Sequence, residues 1–324
     1  MTPADLSLTV LHAVRRAVGE GALRAPARVP ERVTVERPRP GGCGDWATNA
    51  ALQLAREAGM APLQLAEVLR PRIAEADGIE RVEITGPGFL NITLADRGRH
   101  ALVRDILDAG ERYGHGDSLA GHTFRLSHRG DVRATVMADA VRRLLIAQGA
   151  GVHDAGATTV TLSPLPAAYD VHALGPDAAR WGLLRPAAHD RPLPPEGLLV
   201  QSEANPLFTV RYAHARARAL LRNGAQLDMS PAYEEDVDAT RLLAALGDHP
   251  AVLEAAARHR APDRVARHLE ATADAFLGFQ HTVLPLGDEK PSAAHRSRLA
   301  LAEAAGTVLA GGLALLGISA PDYL

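Results

Sequence analysis

The segment NPLFTVRYAHARARALLRNG, residues 205–224, has the residue spacing of an amphipathic helix. Pro206 suits the first turn of such a helix, and Gly224 is a typical residue at its end. Four basic residues recur at steps of three and four and therefore line one face: Arg211, His214, Arg218 and Arg222. The segment predicts a helix with a basic face.

Further helical segments fill the chain up to residue 324. DATRLLAALGDHPAVLEAAARH, residues 238–259, predicts two shorter helices broken near His249 and Pro250, and two longer helical segments follow it. Short connections between amphipathic helices are typical of an antiparallel bundle. We therefore expect a helical bundle over residues 201–324.

Residues 1–116 mix helical and extended patterns. LTVLHAVRRAV (8–18) predicts a helix, RVTVERP (32–38) a strand, and WATNAALQLAREAG (46–59) a helix that ends at Gly59. A further helix is expected from Pro62, and IERVEITGPGFLNITL (79–94) predicts two strands around a Gly-Pro-Gly turn. This region predicts a small α+β domain.

Residues 117–200 contain one clear helix, Val132 to Gln148, before a stop at Gly149. Its apolar stripe is Val136, Met137, Ala140, Val141, Leu144 and Leu145. The rest is rich in proline and turns, and GPDAARWGLL (175–184) predicts a short helix. At ~30 residues per βαβ unit there is room for about two units, so an intact doubly wound domain does not fit. The predicted fold is α+β and predominantly helical, with a vestigial α/β middle segment.

Composition narrows the function classes. The net charge is −3, so the whole chain is not strongly basic. Lys290 is the only lysine, which excludes a phosphate loop with a following lysine, and the single Cys43 excludes a cysteine-based zinc site. We expect no metal, no cofactor, no apolar run long enough to span a membrane, and a cytoplasmic location.

Two sets of residues are candidates for RNA contact. Tyr212 lies beside the basic helix face, and a basic face with an aromatic residue suits phosphate contact and base stacking. The alternative is a solvated arginine face with Tyr212 in the core. Trp46 and Asn49 can stack on and hydrogen-bond to a base; alternatively, Trp46 is a core anchor and Asp45 or Thr48 caps the following helix.

Together these stretches resemble the arginyl-tRNA synthetase family. GDWATNAALQLA (44–55) and GPGFLNITL (86–94) are similar to the family's N-terminal motifs, and QSEANPLFTVRYAHARARALL (201–221) is similar to its Asn-Pro-x-Phe-Tyr-x-x-Tyr-Ala-His-Ala-Arg helix. LALAEAAGTVLAGGLALLGISAPDYL (299–324) resembles its last helix and tail, and GPDAARWGLL resembles the segment that precedes the bundle.

The resemblance implies roles for particular residues. In the family the N-terminal domain contacts the tRNA elbow, where Trp46 and Asn49 match, and the bundle, called the DALR domain, binds the anticodon loop. The positions that match its contacting face are Asn205, Phe208, Tyr212, His214, Arg216 and Leu324. Thr209 replaces a tyrosine, and the tail has Ala-Pro-Asp-Tyr-Leu where the family usually has Ala-Pro-Glu-Arg-Met.

The catalytic motifs depart from the family. His128-Arg129-Gly130-Asp131 stands where the family's ATP loop has His-x-Gly-His, and Asp131 would repel phosphate where a histidine stabilises it. The family's lysine-containing second loop is missing, because Lys290 is far along the chain. The resemblance therefore implies a truncated, degenerate paralogue with no catalytic residues and no aminoacylation activity.

Three functions remain open at this point. The leading prediction is a non-catalytic protein that binds tRNA, arginine tRNA in particular, through both end domains (1–116 and 201–324). The second is a protein-interaction or regulatory subunit that no longer binds RNA, and the third is a residual arginine–tRNA ligase.

Overall fold

The computed structural model describes residues 3–23, 33–36, 38, 43–94, 96–153, 157–168 and 170–324. The chain divides into two compact units, Met1–Leu102 and Val103–Leu324. The finer division at residues 116 and 200 stays a prediction of the sequence. The described residues form a predominantly helical α+β fold, as expected.

The first unit combines three helices with an antiparallel sheet. The helices are α1 (Pro3–Gly19), α2 (Ala50–Ala58) and α3 (Pro62–Ala74). The strands are β1 (Val35–Glu36), β2 (Trp46–Thr48), β3 (Ile79–Thr85) and β4 (Phe89–Leu94), in the order β1-β2-β4-β3. The two strands predicted around the Gly-Pro-Gly turn are confirmed, whereas Trp46–Thr48 is a strand rather than the start of a helix.

Gly88 shows why that turn needs glycine. Its φ is +135°, and a Cβ added there would lie 2.9 Å from the carbonyl oxygen of Pro62, the first residue of α3. Because L side chains rarely adopt this backbone conformation, only glycine lets the β3–β4 turn approach α3 so closely. Leu65, Ile73 and Leu90 are fully buried in the core between these elements.

The boundary between the units falls within α4 (Asp96–Ala109), and the second unit contains a small parallel sheet. Its strands are β5 (Thr123–His128), β6 (Gly151–Val152) and β7 (Thr158–Leu162), in the order β6-β5-β7. The predicted helix is α5 (Val132–Ala147), and its apolar stripe is buried except for Val136, which is half-buried. The short helix is α6 (Pro176–Leu184).

The remaining helices of this unit pack on one another. They are α7 (Pro206–Gln226), α8 (Thr240–His259), α9 (Pro262–Phe279) and α10 (Ala293–Leu316). Two predicted boundaries are wrong. Gly224 does not end α7, which continues to Gln226. Glycine is needed here for close packing, because a Cβ would lie 2.7 Å from the side chain of Leu299. Pro250 does not break α8, because Leu246 and Leu253 on either side of it are both buried.

Helix α10 corrects the expectation that no apolar run is long enough to span a membrane. It has 24 residues and a window of mean hydropathy 1.8, so it passes that test by length and composition. However, 78% of this window is buried inside the protein. A mostly buried apolar helix is typical of a protein core.

Candidate nucleic-acid interface

The first turn of α7 is fixed by a buried asparagine. The side-chain oxygen of Asn205 accepts a hydrogen bond from the backbone N–H of Leu207 (3.1 Å), and its amide donates to the carbonyl oxygens of Leu198 and Val200 (both 2.9 Å). Asn205 is therefore a helix cap that ties the preceding loop to α7. Its buried amide is used inside the protein and is not presented to RNA.

Phe208, Tyr212 and Arg216 follow one another at steps of four along α7, and we call them the aromatic–arginine stripe. The rings of Phe208 and Tyr212 are stacked, with centroids 5.8 Å apart and an interplanar angle of 17°. Tyr212 is 40% exposed, so it does not lie in the core. Arg216 is half-buried one helical turn after Tyr212, and its Nε donates to Oε1 of Gln280 (2.7 Å), which orients the guanidinium.

The predicted basic face of α7 is covered by residues 319–324, here called the tail. The guanidinium of Arg211 donates a hydrogen bond to the hydroxyl of Ser319 (3.3 Å) and also lies 3.6 Å from the carboxylate of Asp177. Asp322 accepts from Nε of Arg218 (3.1 Å), and its carbonyl oxygen accepts from Arg222 (3.3 Å). These arginines therefore bind the protein's own chain, and no local pattern predicts these contacts because the tail partners lie 100 to 108 residues further along the chain.

His214 adds no charge to the basic face at neutral pH. Its side chain is buried, and its Nδ1 donates to the carbonyl oxygen of Pro321 (3.0 Å). Burial lowers the pKa of His214 below its ordinary value, although the bond to Pro321 opposes this shift. The neutral ring acts as an anchor for the tail rather than as a phosphate contact.

Leu324 and the start of α7 line a cavity of about 300 Å³. Its other lining residues include Asn205, Phe208, Arg211 and the exposed Leu199 and Val200. The structure thus brings together most of the predicted positions of the bundle around the tail. Tyr323 and Gln280 also belong to this surface, although no sequence pattern distinguishes them.

Trp46 and Asn49, the two predicted RNA-contact positions in the first unit, differ in their exposure. Trp46 is only 3% exposed and lies in the core, so its ring is not available to stack on a base, and the core-anchor alternative describes it correctly. Asn49 is half-buried just before α2, and its side chain makes no capping hydrogen bond. An RNA contact at Asn49 stays a prediction.

The ATP-loop candidates lie at the carboxyl end of β5, the central strand of the parallel sheet. Such an edge, with neighbouring strands on both sides, is where α/β sheets bind ligands. His128 and Gly130 are exposed. The carboxylate of Asp131 accepts from the backbone N–H of Ala134 (2.9 Å) and so caps α5. Within the described ranges, no group of three or more His, Cys, Asp or Glu side chains can hold a metal ion.

Two family models match the chain. The model described as DALR anticodon binding domain matches residues 210–324, and the model described as arginyl tRNA synthetase N terminal domain matches residues 6–94. The first match includes Tyr212 and Arg216 of the aromatic–arginine stripe together with the whole tail.

Curated relatives are named arginine–tRNA ligase. The proteins from Pseudarthrobacter chlorophenolicus and Frankia alni are 26% and 28% identical, and each alignment covers 100% of both chains. The protein from Micrococcus luteus is 45% identical over 47% of this chain and 30% of its own. The alignment with the Pseudarthrobacter protein is 554 positions long, whereas this chain has 324 residues. At least 230 positions of the alignment are therefore gaps in this chain.

Solved structures share the fold. Thermus thermophilus arginyl-tRNA synthetase superposes with a TM-score of 0.73 at 13% identity and 100% coverage of both chains. The arginyl-tRNA synthetase of Plasmodium falciparum superposes with a TM-score of 0.67 at 8% identity and 99% coverage of both.

These findings correct two expectations. The prediction that the protein is not an enzyme is wrong, because the relatives that align from end to end are named as ligases. The prediction of a truncated, degenerate paralogue is not supported, since those alignments span the whole chain. A protein partner is not supported either. With both of the matched domains and the shared fold, the chain belongs to the arginyl-tRNA synthetase family.

Proposed function

We propose that this protein acts on arginine tRNA, as the names of its relatives indicate, and binds the tRNA through the aromatic–arginine stripe of α7. The observation that carries the proposal is the stripe itself. Stacked aromatic rings with a hydrogen-bonded arginine one helical turn further along suit unpaired bases and their phosphates, which is how proteins recognise RNA loops.

The ion pairs of the α7 arginines also support the aromatic–arginine stripe as the RNA-binding surface. Arg211 and Arg218 are paired with Asp177 and Asp322. In contrast, no carboxylate in the described part of the chain forms an ion pair with Arg216, whose partner is the neutral Gln280. Arg216 is therefore better placed than Arg211 or Arg218 to neutralise a phosphate.

Filter binding of arginine tRNA and total tRNA at several salt concentrations tests the proposal. Tyr212→Ala should raise the Kd by about 5- to 150-fold and leave the salt dependence unchanged, because a stacking contact is lost and no charge is removed. Arg216→Glu should weaken binding to every tRNA and lower the slope of log K against log salt by about 0.7.

Arg142→Glu is the matched control, since Arg142 is an exposed arginine on α5. This substitution changes the net charge as Arg216→Glu does and should leave both the Kd and the slope near those of the wild type. Absence of tRNA binding by the wild-type protein at low salt would refute the proposal.

Arginine–tRNA ligation is the proposed activity, because the relatives that align over the full chain carry that name. Its site would be the carboxyl end of β5, where His128 and Gly130 are exposed. We expect arginine- and tRNA-dependent ATP–pyrophosphate exchange that His128→Ala abolishes and that His189→Ala, at an exposed control position, leaves intact. Normal tRNA binding without exchange would restrict the function to binding.

A further inference from the structure

Tyr323 is an exposed aromatic residue that the fold holds in place. Its side chain is 71% exposed, and the guanidinium carbon of Arg222 lies 4.2 Å from the ring centroid. An exposed side chain outside helices and strands commonly has freedom to move. Here the ring has a cation on one face, which orients it.

Three hydrogen bonds hold Pro321 and Asp322, the two residues before this ring. The carbonyl oxygen of Pro321 accepts from His214 (3.0 Å), and Asp322 accepts through its side chain from Arg218 (3.1 Å) and through its carbonyl oxygen from Arg222 (3.3 Å). The tail is thus bound to three residues of α7 that lie four apart, on successive turns of the helix. These bonds hold the residues next to Tyr323 against α7.

We propose that Tyr323 is a stacking platform for an unpaired base of the RNA, with Arg222 as the positioning residue beneath it. The inference rests on the proposed function and extends it to a residue outside the aromatic–arginine stripe. An aromatic ring that is already oriented loses little conformational freedom when a base stacks on it. The same guanidinium also offers N–H groups to a neighbouring phosphate.

The platform and the aromatic–arginine stripe belong to one side of the unit. Tyr212 and Arg222 are ten residues apart on α7, which corresponds to about 15 Å along the helix axis and about 80° around it. Leu324, next to Tyr323, lines the same cavity as Phe208. A single unpaired RNA strand can therefore contact both stacking sites.

The test measures binding of arginine tRNA and of its isolated anticodon stem-loop by wild type, Tyr323→Ala and Tyr323→Phe. Tyr323→Ala should raise the Kd for both RNAs by about 5- to 150-fold without changing the salt slope, and Tyr323→Phe should stay within about twofold of wild type. Tyr233→Ala, in the loop between α7 and α8, controls for loss of an aromatic residue elsewhere.

A stem-loop with 2-aminopurine in its loop supplies a second readout. Its fluorescence should fall on binding to wild type and Tyr323→Phe but less on binding to Tyr323→Ala. Unchanged or tighter binding by Tyr323→Ala, with Tyr212→Ala still impaired, overturns the platform and leaves the proposed function standing. Failure of the wild type to bind either RNA overturns both.

Discussion

Arg133 is the largest polar side chain in the interior, and it organises the region between α5 and the bundle. It has no exposed surface, and its guanidinium donates to five backbone carbonyl oxygens at 2.7–3.2 Å. The acceptors are Leu165, Leu183, Pro186, Ala187 and Asp190. Because guanidinium carries five N–H groups in a planar fork, arginine can bind all of these oxygens where lysine cannot.

We expect Arg133→Met to destabilise the second unit by at least about 3 kcal/mol, because several buried carbonyl oxygens lose a charged donor at once. The stability of Arg133→Lys should lie between those of Arg133→Met and the wild type, since an ammonium has three donors. The measurement is urea unfolding followed by the fluorescence of the buried Trp181 in a Trp46→Phe background. Arg142→Met, on the exposed side of the same helix, should change the stability by less than about 0.5 kcal/mol; equal midpoints for the two positions would contradict the expectation.

The sequence could not show the role of Arg133. Beside Asp131 and Thr135 at the start of a helix, an arginine has the pattern of a solvated residue. Its acceptors lie 32 to 57 residues further along the chain. Local spacing identifies which residues share a face, but it does not identify what that face contacts.

Helix α5 is the element whose packing the sequence predicted most directly. Its apolar residues recur at helical spacing, and the structure buries Leu144 completely while Ile146, two residues later, is 56% exposed. Leu144→Ala should therefore destabilise the second unit by ~2–5 kcal/mol, whereas Ile146→Ala should cost less than about 0.5 kcal/mol. Trp181 fluorescence in urea compares the two variants, and similar losses at both positions would show that α5 does not pack as described.

Elements with strong periodicity were predictable, and the errors occurred where tertiary packing overrides local preference. The β3–β4 hairpin, α5 and α9 follow from alternation or helical spacing alone. Trp46–Thr48 looked helical because apolar residues continue into α2, yet pairing with β4 makes it a strand. Pro250 looked like a break because it lacks an N–H, yet packing of α8 on α9 holds the helix together.

The candidate site shows the same contrast between features that follow from local sequence and features that depend on tertiary packing. Tyr212 beside the basic helix face was predictable from helical spacing, whereas Arg216 was a candidate only through the family resemblance. The cover over Arg211, His214 and Arg218 was not, since the tail returns to α7 from the far end of α10. A surface charge is therefore assigned to RNA only after its partners within the chain are known.

At the scale of the second unit, a buried aromatic cluster joins the segment after α4 to α8 and α9. The rings of His249 and His268 lie 5.2 Å apart, and Tyr113 is stacked on His249 with a centroid distance of 5.9 Å. Burial lowers the pKa of His268 to about 4 and the pKa of His249 well below 6.5. Both rings are therefore neutral in the folded protein at pH 7.

This cluster predicts that the second unit loses stability in mild acid. Near pH 6.5 the histidines of the unfolded chain begin to bind protons, while the buried rings do not. The stabilising contribution of the neutral, buried histidines is thus complete above pH 6.5 and disappears as the pH falls towards 4. For His268 alone, this loss of unfolding free energy amounts to about 3 kcal/mol. Urea unfolding followed by Trp181 fluorescence from pH 7 to 4 should show this loss in wild type and in His189→Leu, an exposed control. In His268→Leu the loss should be smaller by about that amount, and an identical pH dependence in all three proteins would exclude the cluster as its cause.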